Sequence, residues 1–440
     1  MNLVRRAAAV LTVALLPVTV LGAAPSILPP STDTVAGTTV LQQIDSAAAL
    51  AGVTLVVHAG LDRQTMKQNG LAALVAETIL KTPVGTPPMP LEEAVAARGG
   101  SVRFTVDPGD VRFYVEALAA DAPAVLGLLR AALAAPDFSP ATVRAARAAL
   151  TQEIASSQQV ALQVGLDMLN AVSSVQANAG LPELGTPASL ADLFPADAAA
   201  FYRAYYRRGG VLVSAAGQLN ALSTATLSDL AGALPLGTTS PVTVHVAALH
   251  GTTREIVAHR DISSPWLIAQ YPAPRVDNRD FGPMLVLAAF LRRTISDIAQ
   301  VPGVVSPTFA SRSVGAVYVY DRVPSSLVIY VNGGLIGNPS RTFATALSVV
   351  NVLAATTLQG SIEEFKAEAA GDFADNATTL ETRTWLAAVF SRESTSPDFI
   401  NHALAAISAT TPADVQRAAR TYLGNPTIAL VLPRGTNLQD

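Results

Sequence analysis

The stretch that decides the fold is an apolar segment between a glycine and a lysine. It reads Gly70-Leu71-Ala72-Ala73-Leu74-Val75-Ala76-Glu77-Thr78-Ile79-Leu80-Lys81. A polar loop, residues 61–69, precedes it, and a proline-rich break follows from Pro83 to Pro90. Glycine before an apolar run and proline after it are typical helix boundaries. The pattern predicts an alanine-rich helix that opens after a polar loop.

Strands are predicted on both sides of this helix. Residues 53–59 are rich in β-branched side chains and lie between Gly52 and Gly60, which indicates a strand. Residues 101–106 and 111–116 alternate polar and apolar side chains around Asp107-Pro108-Gly109-Asp110. Because that tetrapeptide has good turn chemistry, the two segments predict a β-hairpin.

The remaining elements of the first half are predicted mainly from helix-capping signals and β-branched content. Ser139 is expected to cap a helix that has Pro140 in its first turn. Residues 26–39 are rich in Pro, Ser and Thr and are expected to be an extended leader. The other predicted elements are helices over residues 91–98, 121–134 with Asp121 as N-cap, 139–157, 160–178 and 195–207, and a strand over 211–216.

The second half of the chain repeats features of the first. Pro195-Ala196-Asp197, with Arg203 and Tyr205, recurs as Pro412-Ala413-Asp414, with Arg420 and Tyr422. The strand after each helix also recurs, at residues 211–215 and 428–432, and Asn69-Gly70 parallels Asp280-Phe281-Gly282 before an apolar helix. Matches in the same order and at nearly the same spacing predict two duplicated halves. Since helices and strands do not alternate strictly, each half is expected to be α+β, with helices packed on a largely antiparallel sheet.

Composition excludes several classes of protein. The chain has 440 residues, which favours two or more domains, and its formal net charge of -4 gives no basic surface for nucleic acid. It has no cysteine, so disulfides, thiolate metal sites and a cysteine nucleophile are excluded. Beyond the N-terminus no apolar run reaches the length of about 18 residues that a membrane span needs.

The N-terminus has the order of a secretory signal. Arg5 and Arg6 precede an apolar run over residues 7–21, and small residues follow at 22–24. The alternative is an uncleaved anchor helix, which Pro17 and the shortness of the run disfavour. The predicted division is a signal peptide over residues 1–24, an N-terminal domain over 25–233, a linker over 234–244 and a C-terminal domain over 245–440. Export without disulfides favours a bacterial periplasm.

This arrangement resembles the insulinase-like (pitrilysin, M16) metallopeptidases and the related mitochondrial processing peptidase subunits, from about Val53 to Pro433. The strand, loop and helix over residues 53–81, the hairpin over 101–116, the helix with Gln152-Glu153-Ile154 and the Pro-Ala-Asp helices carry the resemblance. It implies an α+β fold in duplicate.

Active members of that family have His-x-x-Glu-His on the helix equivalent to Gly70–Lys81, and a carboxylate ligand from a later helix. Residues i and i+4 share a helix face, so two imidazoles bind one zinc ion with the glutamate beside it as general base. By the resemblance, Ala73 takes the place of the first histidine, Ala76 that of the base and Glu77 that of the second histidine. Glu153 falls at the third ligand.

No zinc site is predicted, because alanine has no donor atom and two carboxylates fall short of the three protein ligands of catalytic zinc. Two readings of Glu77 remain: weak binding of a hard cation together with Glu153, or, more simply, a carboxylate that is solvated or paired with an arginine. For Glu153, the simpler reading is a solvated helix residue. The five histidines, His58, His245, His250, His259 and His402, form no His-x-x-x-His pair and are expected at surfaces or interfaces.

A second departure concerns substrate binding. Active members hold the substrate backbone with an arginine and a tyrosine in the C-terminal half, and those positions fall at Ala299 and Ser306 when aligned on Gly303. Arg312 and Tyr318 are nearby substitutes. Motifs of serine hydrolases, phosphate-binding loops and dinucleotide folds are absent.

The sequence therefore predicts an exported, non-catalytic subunit without cofactor. By the resemblance, it would pair with an active peptidase subunit that carries His-x-x-Glu-His and help to form a chamber that holds peptides. Two alternatives stay open: a peptidase with an unusual metal site at Glu77 and Glu153, and a structural or peptide-holding protein without a catalytic partner.

Overall fold

A computed structural model describes residues 28–173, 177–237, 254–298, 314–322, 324–333, 339–355, 362–394 and 396–435. The predicted signal segment and parts of the linker lie outside these residues, so the proposed division into domains stays a prediction. Within the described residues, no helix is both long and apolar enough to cross a membrane.

Two large sheets form the framework. The strands are β1 (Ser31–Val35), β2 (Thr38–Ile44), β3 (Leu50–Val57), β4 (Pro83–Val84), β5 (Met89–Pro90), β6 (Ser101–Val106), β7 (Val111–Leu118), β8 (Leu212–Gly217), β9 (Arg254–Arg260), β10 (Trp266–Pro272), β11 (Val314–Val319), β12 (Ser326–Asn332) and β13 (Thr427–Pro433). The first sheet has the order β1-β2-β8-β3-β7-β6 and the second β11-β12-β10-β13-β9, while β4 pairs with β5 and with no other of the described strands.

The two sheets have the same topology apart from β1. In the first, β8 pairs parallel with β2 and antiparallel with β3; in the second, β13 pairs parallel with β9 and antiparallel with β10. The remaining pairs of both sheets are antiparallel. The predicted α+β fold with two duplicated halves is confirmed.

Helices cover the sheets. They are α1 (Leu71–Lys81), α2 (Leu91–Ala96), α3 (Ala122–Ala134), α4 (Pro140–Ser157), α5 (Ala161–Ser173), α6 (Pro187–Ala191), α7 (Pro195–Tyr205), α8 (Thr224–Gly232), α9 (Phe281–Ile298), α10 (Pro339–Ala355), α11 (Ile362–Asn376), α12 (Leu380–Glu393), α13 (Phe399–Ala409) and α14 (Pro412–Tyr422). The repeated Pro-Ala-Asp segments open α7 and α14, and in both the aspartate accepts a hydrogen bond from the N-cap backbone.

Helix α1 lies in the middle of the first core, as every residue from Leu71 to Leu80 is buried. Gly70 allows this position because its φ of +89° is left-handed, and a side chain there would meet Leu190 and the backbone of Gly185. The helix packs against α4, α7 and β6.

Each sheet is also covered by a helix from the other half of the chain. Helix α12 packs on β3 and β8, where Leu380 fills the space left by Gly52. Helix α5 packs on β10 and β13, where Gly165 leaves room for Ile268. The two helices are therefore exchanged, so that neither sheet completes its core without the other half.

Hydrogen bonds fix this exchange. Thr54 and Thr384 share a buried hydrogen bond of 2.6 Å between β3 and α12. Ser173 donates to Thr427 over 3.2 Å, between α5 and β13. Both pairs join residues far apart in the sequence, so no local pattern predicts them.

Two predicted elements need correction. The predicted leader, residues 26–39, contains the strand β1 and the first two residues of β2, and pairing with β8 buries apolar side chains of β2 such as Val40 and Leu41. Helix α5 spans 161–173, not 160–178, and residues 177–180 form a separate 3-10 turn. The hairpin β6–β7 and the cap of Ser139 on α4 are confirmed, whereas Asp121 makes no side-chain cap.

Candidate functional site

The positions that correspond to the zinc motif lie on α1, inside the first core. Ala73 and Ala76 are fully buried, and 6% of Glu77 is exposed. Both alanines pack within the apolar cluster that joins α1 to its neighbours. The side chains of Ala73 and Ala76 therefore offer only apolar packing at these positions, with no donor atom for a metal ion or a water molecule.

Glu77 is held by a cation from its own helix. Lys81 Nζ lies 3.2 Å from Glu77 Oε1 and also forms a short ion pair with Glu92. Burial raises the pKa of the Glu77 carboxyl, and the neighbouring Lys81 opposes that rise. The sequence predicted solvent or an arginine as the partner of Glu77; the structure shows a lysine one helical turn along, because residues i and i+4 share a face.

Glu153 lies on α4, which packs against α1. It is exposed, in agreement with the simpler reading of the sequence, and its charge contributes to the raised pKa of Glu77. The structure thus brings these two carboxylates into one neighbourhood. Their donor set does not fit a catalytic zinc ion, since neither Ala73 nor Ala76 supplies a third or fourth ligand.

Of the described histidines, His259 is exposed, and His58 and His402 make side-chain contacts away from α1. His58 Nδ1 is 2.6 Å from Asp110 Oδ1, and 12% of its side chain is exposed. His402 is partly exposed: it packs against Phe281, and its Nε2 is 3.0 Å from the carbonyl oxygen of Val276. Among the described residues, no group of three His, Asp or Glu side chains is arranged to hold a metal ion.

The expected substrate-binding positions are only partly described. Ala299, Gly303, Ser306 and Arg312 lie outside the described residues, as do His245 and His250. Tyr318, a suggested substitute, is buried, and its hydroxyl donates to the carbonyl of Pro274 over 2.6 Å. Because that hydroxyl is already bonded inside the core, Tyr318 does not fit the role of a substrate contact.

Sequence reasoning missed a cluster of charges between the halves. Asp110 accepts from Arg392 Nη1 over 2.7 Å as well as contacting His58. Burial raises the pKa of Asp110, but Arg392 and His58 outweigh it, so that the pKa lies below its usual range. The sequence indicated only the Asp107–Asp110 turn; His58 belongs to the same half as this turn, and Arg392 comes from the other half.

The same turn also contacts Trp385. Arg112 Nε is 2.7 Å from Asp107 Oδ2, and its guanidinium lies 3.8 Å from the centre of the Trp385 ring. The indole of Trp385 donates to the carbonyl of Asp321 over 2.9 Å. The turn therefore connects β6–β7 to α12 and its neighbours.

A cavity of about 760 Å³ lies beside β6, the edge strand of the first sheet. It is lined by Phe104–Val106 of β6, by the C-terminal part of α4 with Glu153, by α5 with Asp167, and by Arg260 of β9. Burial raises the pKa of Asp167 to about 6. The cavity thus combines an open sheet edge with charged side chains from both halves.

Comparisons with known proteins concern the segment that contains α1 and the fold as a whole. Residues 39–186, which include α1 and Glu153, match the family model of Insulinase (Peptidase family M16). No curated protein matches the sequence. The resemblance predicted from the sequence is confirmed for this segment, and the fold as a whole is that of M16 peptidases.

The fold is shared with several solved structures of low sequence identity. A protease from Helicobacter pylori is 13% identical, with a TM-score of 0.76 over 92% of this chain and 100% of that one. A peptidase M16 inactive domain from Pseudomonas fluorescens is 14% identical, with a TM-score of 0.73 over 93% and 100%. Complex III2 from Candida albicans contains a chain that is 14% identical, with a TM-score of 0.72 over 91% and 95%.

Proposed function

We propose that this chain is an exported, non-catalytic M16-type subunit that pairs with an active zinc peptidase homologue and helps to form its peptide-holding chamber. The observation that carries the proposal is the buried pair Ala73 and Ala76 on α1. A general base and a first zinc ligand need side-chain donor atoms, and alanine has none. The M16 inactive domain of Pseudomonas fluorescens is a precedent for this fold without catalysis.

The peptide-holding part of the proposal rests on β6. This strand pairs with β7 on one side only and ends the described sheet, so its outer N–H and C=O groups face the side of the cavity. An extended peptide adds to such an edge through main-chain hydrogen bonds, and neighbouring pockets receive its alternate side chains.

Co-expression tests the pairing. The chain is produced with a periplasmic homologue that carries His-x-x-Glu-His, and the two are purified through a tag on one of them. We expect a 1:1 complex in size-exclusion chromatography with light scattering, and altered peptide cleavage by the partner. An isolated monomer together with unchanged partner activity refutes the proposal. A Glu-to-Gln change in the partner's motif is the control that shows where the activity resides.

A structural role without a catalytic partner is the second candidate. The similarity to a chain of Complex III2 from Candida albicans favours it, because that complex provides a setting for this fold outside a peptidase. Affinity purification of the chain from its own host separates the two candidates. A peptidase homologue in the purified complex supports the first, and a complex of non-peptidase proteins supports the second.

A further inference from the structure

We propose that one end of the first sheet forms an apolar rim that rests on a lipid membrane. The rim consists of Leu28, Ile44 and Leu118, together with the exposed alanines Ala47 and Ala49 of the loop between β2 and β3. The inference rests only on the export part of the function proposed above, and it does not require the partner peptidase.

Strand register brings these residues to the same end of the sheet. Ile44, the last residue of β2, pairs with Gly217 of β8. Gly217 also pairs with Ala51 of β3. Leu50, which precedes Ala51, pairs with Leu118 at the end of β7. Because β2 and β7 are three strand spacings apart, about 14 Å separates Ile44 from Leu118.

The loop between β2 and β3 crosses the space between these two strand ends. The backbone N–H of Ala119 donates to the carbonyl of Ala49 over 3.1 Å. Gln218 Nε2 donates to the carbonyl of Ser46 over 3.2 Å. These bonds hold the loop against the segments that follow β7 and β8, so its exposed alanines continue the apolar surface from one strand end to the other.

The rim leaves about half of each large apolar side chain in water. Leu28 is 59% exposed, Ile44 is 52% exposed and Leu118 is 48% exposed. Single exposed apolar residues are normal on a folded protein, whereas a contiguous apolar patch marks a surface that contacts a partner. The rim is such a patch, because its large side chains are joined by the alanines of the loop.

The equivalent end of the second sheet is polar among its described residues, although the two sheets share their topology. Arg260 ends β9 where Ile44 ends β2, and Asn332 ends β12 where Leu118 ends β7. Asn332 Oδ1 accepts a hydrogen bond from Ser264 over 2.8 Å. The fold itself therefore does not require apolar side chains at this end, and the rim is a feature of the first half.

The path of the chain indicates a membrane as the partner of the rim. The described chain begins at Leu28, whose carbonyl accepts a hydrogen bond from Gln43 Nε2 over 2.7 Å, so the chain enters the fold at the rim. Residues 22–27 alone separate Leu28 from the apolar run over residues 7–21, which has the order of a secretory signal. Six residues span at most about 20 Å, so the rim lies next to the bilayer while that run is inserted.

The charges at this end of the sheet are compatible with a membrane contact. Asp45 is paired with Arg383 Nη1 over 3.1 Å. Asp121 and the exposed Arg98 carry opposite charges. The contact therefore depends on apolar side chains that enter the boundary between headgroups and acyl chains, and salt should change it little.

Site-specific fluorescence with lipid vesicles tests the inference. The chain has no cysteine, so a single introduced cysteine carries the environment-sensitive dye nitrobenzoxadiazole at a chosen position. The dye is placed at Leu118→Cys on the rim or, as the matched control, at Leu404→Cys on α13, an apolar position that is 39% exposed in the second half. The chain is purified as its host exports it and is mixed with vesicles of phosphatidylethanolamine and phosphatidylglycerol.

We expect the dye at Leu118→Cys to brighten and to shift to the blue when vesicles are added, and the dye at Leu404→Cys to stay unchanged. Adding Ile44→Asn should raise the vesicle concentration at half of the Leu118→Cys response about fivefold, because less apolar area then enters the bilayer. Leu404→Asn should leave that concentration unchanged. Circular dichroism of each variant checks that the fold is kept.

Equal responses of the two dye positions, or no response of either, overturn the membrane contact and leave the pairing with a peptidase untouched. A dimer of the chain that forms without vesicles and is lost in Ile44→Asn, as measured by light scattering, would assign the rim to a second copy and overturn the inference in the same way. Recovery of the chain only from the cytoplasm refutes export itself, and the membrane contact with it.

Discussion

Asp62, in the loop before α1, gives the sharpest test of the electrostatics of this fold. Its side chain is 6% exposed, and its ion-pair partner Arg63 Nε lies 3.8 Å from Oδ1. Burial raises the pKa of Asp62 from 3.8 to about 6, Asp110 adds to the rise, and Arg63 and His58 oppose it. Replacing Asp62 by Asn removes the ionisable group and keeps the shape of the side chain.

The magnitude follows from linkage between protonation and folding. Because the folded-state pKa of Asp62 lies above the unfolded value, the folded protein holds the proton more tightly. The contribution of Asp62 to stability is thus greatest at low pH, falls between about pH 4 and pH 6, and is constant above. A difference of about two pKa units corresponds to about 3 kcal/mol in total, of which about 2 kcal/mol falls between about pH 4.5 and pH 7.5.

Urea unfolding followed by circular dichroism at a series of pH values measures this contribution. We expect Asp62→Asn to gain about 2 kcal/mol relative to the wild type on going from about pH 4.5 to pH 7.5. Asp167 titrates in the same range, with a pKa of about 6, so Asp167→Asn should show a separate gain. The two residues have no electrostatic partner in common, so their effects should add in the double variant. The same pH dependence in Asp62→Asn and in the wild type would refute the reasoning.

Three further results are expected. Gly60→Ala should lower the free energy of unfolding in urea by more than about 2 kcal/mol, because a Cβ there would lie 2.3 Å from Asp110 N and 2.4 Å from Asp107 O. The control is Gly127→Ala, which has open space around it and should be neutral or stabilising. Arg392→Ala should lower the free energy of unfolding by about 1–2 kcal/mol, a value reduced by the partial exposure of Arg392. Adding Asp110→Asn should recover part of this loss, because the buried carboxylate that needs a cation is then absent. Strictly additive losses in the double variant would contradict this coupling. Equilibrium dialysis against zinc, followed by elemental analysis, should find no stoichiometric metal. One bound zinc ion per chain that is lost in Glu77→Gln would instead establish a metal site at Glu77 and Glu153.

Local sequence signals predicted most elements of the first half. The β6–β7 hairpin follows from alternation on both sides of a turn, and α1 and α4 follow from apolar content and capping. The leader failed as a prediction because composition alone does not distinguish a solvated segment from an edge hairpin. What makes β2 a strand is its parallel pairing with β8, which lies far along the chain.

The candidate site, too, was only partly predictable from the sequence. The sequence by itself determined that Ala73 and Ala76 carry no donor atoms, because that is a property of the residue type. It did not determine the partner of Glu77: solvent or an arginine was predicted, whereas the structure pairs Glu77 with Lys81. The i, i+4 spacing alone brings Lys81 within reach of Glu77; tertiary packing of α1 decides that the carboxylate is buried, with 6% of Glu77 exposed.

The contacts between the halves were decided by tertiary structure alone. Asp110 meets Arg392, and Asp167 comes to lie beside β6, because α12 and α5 are exchanged between the two sheets. The duplication can be predicted from the sequence, because each half repeats the same local signals. The exchange of α5 and α12 between the sheets cannot be predicted in this way. An apolar helix face needs an apolar surface to pack against, but its sequence does not specify which half supplies that surface.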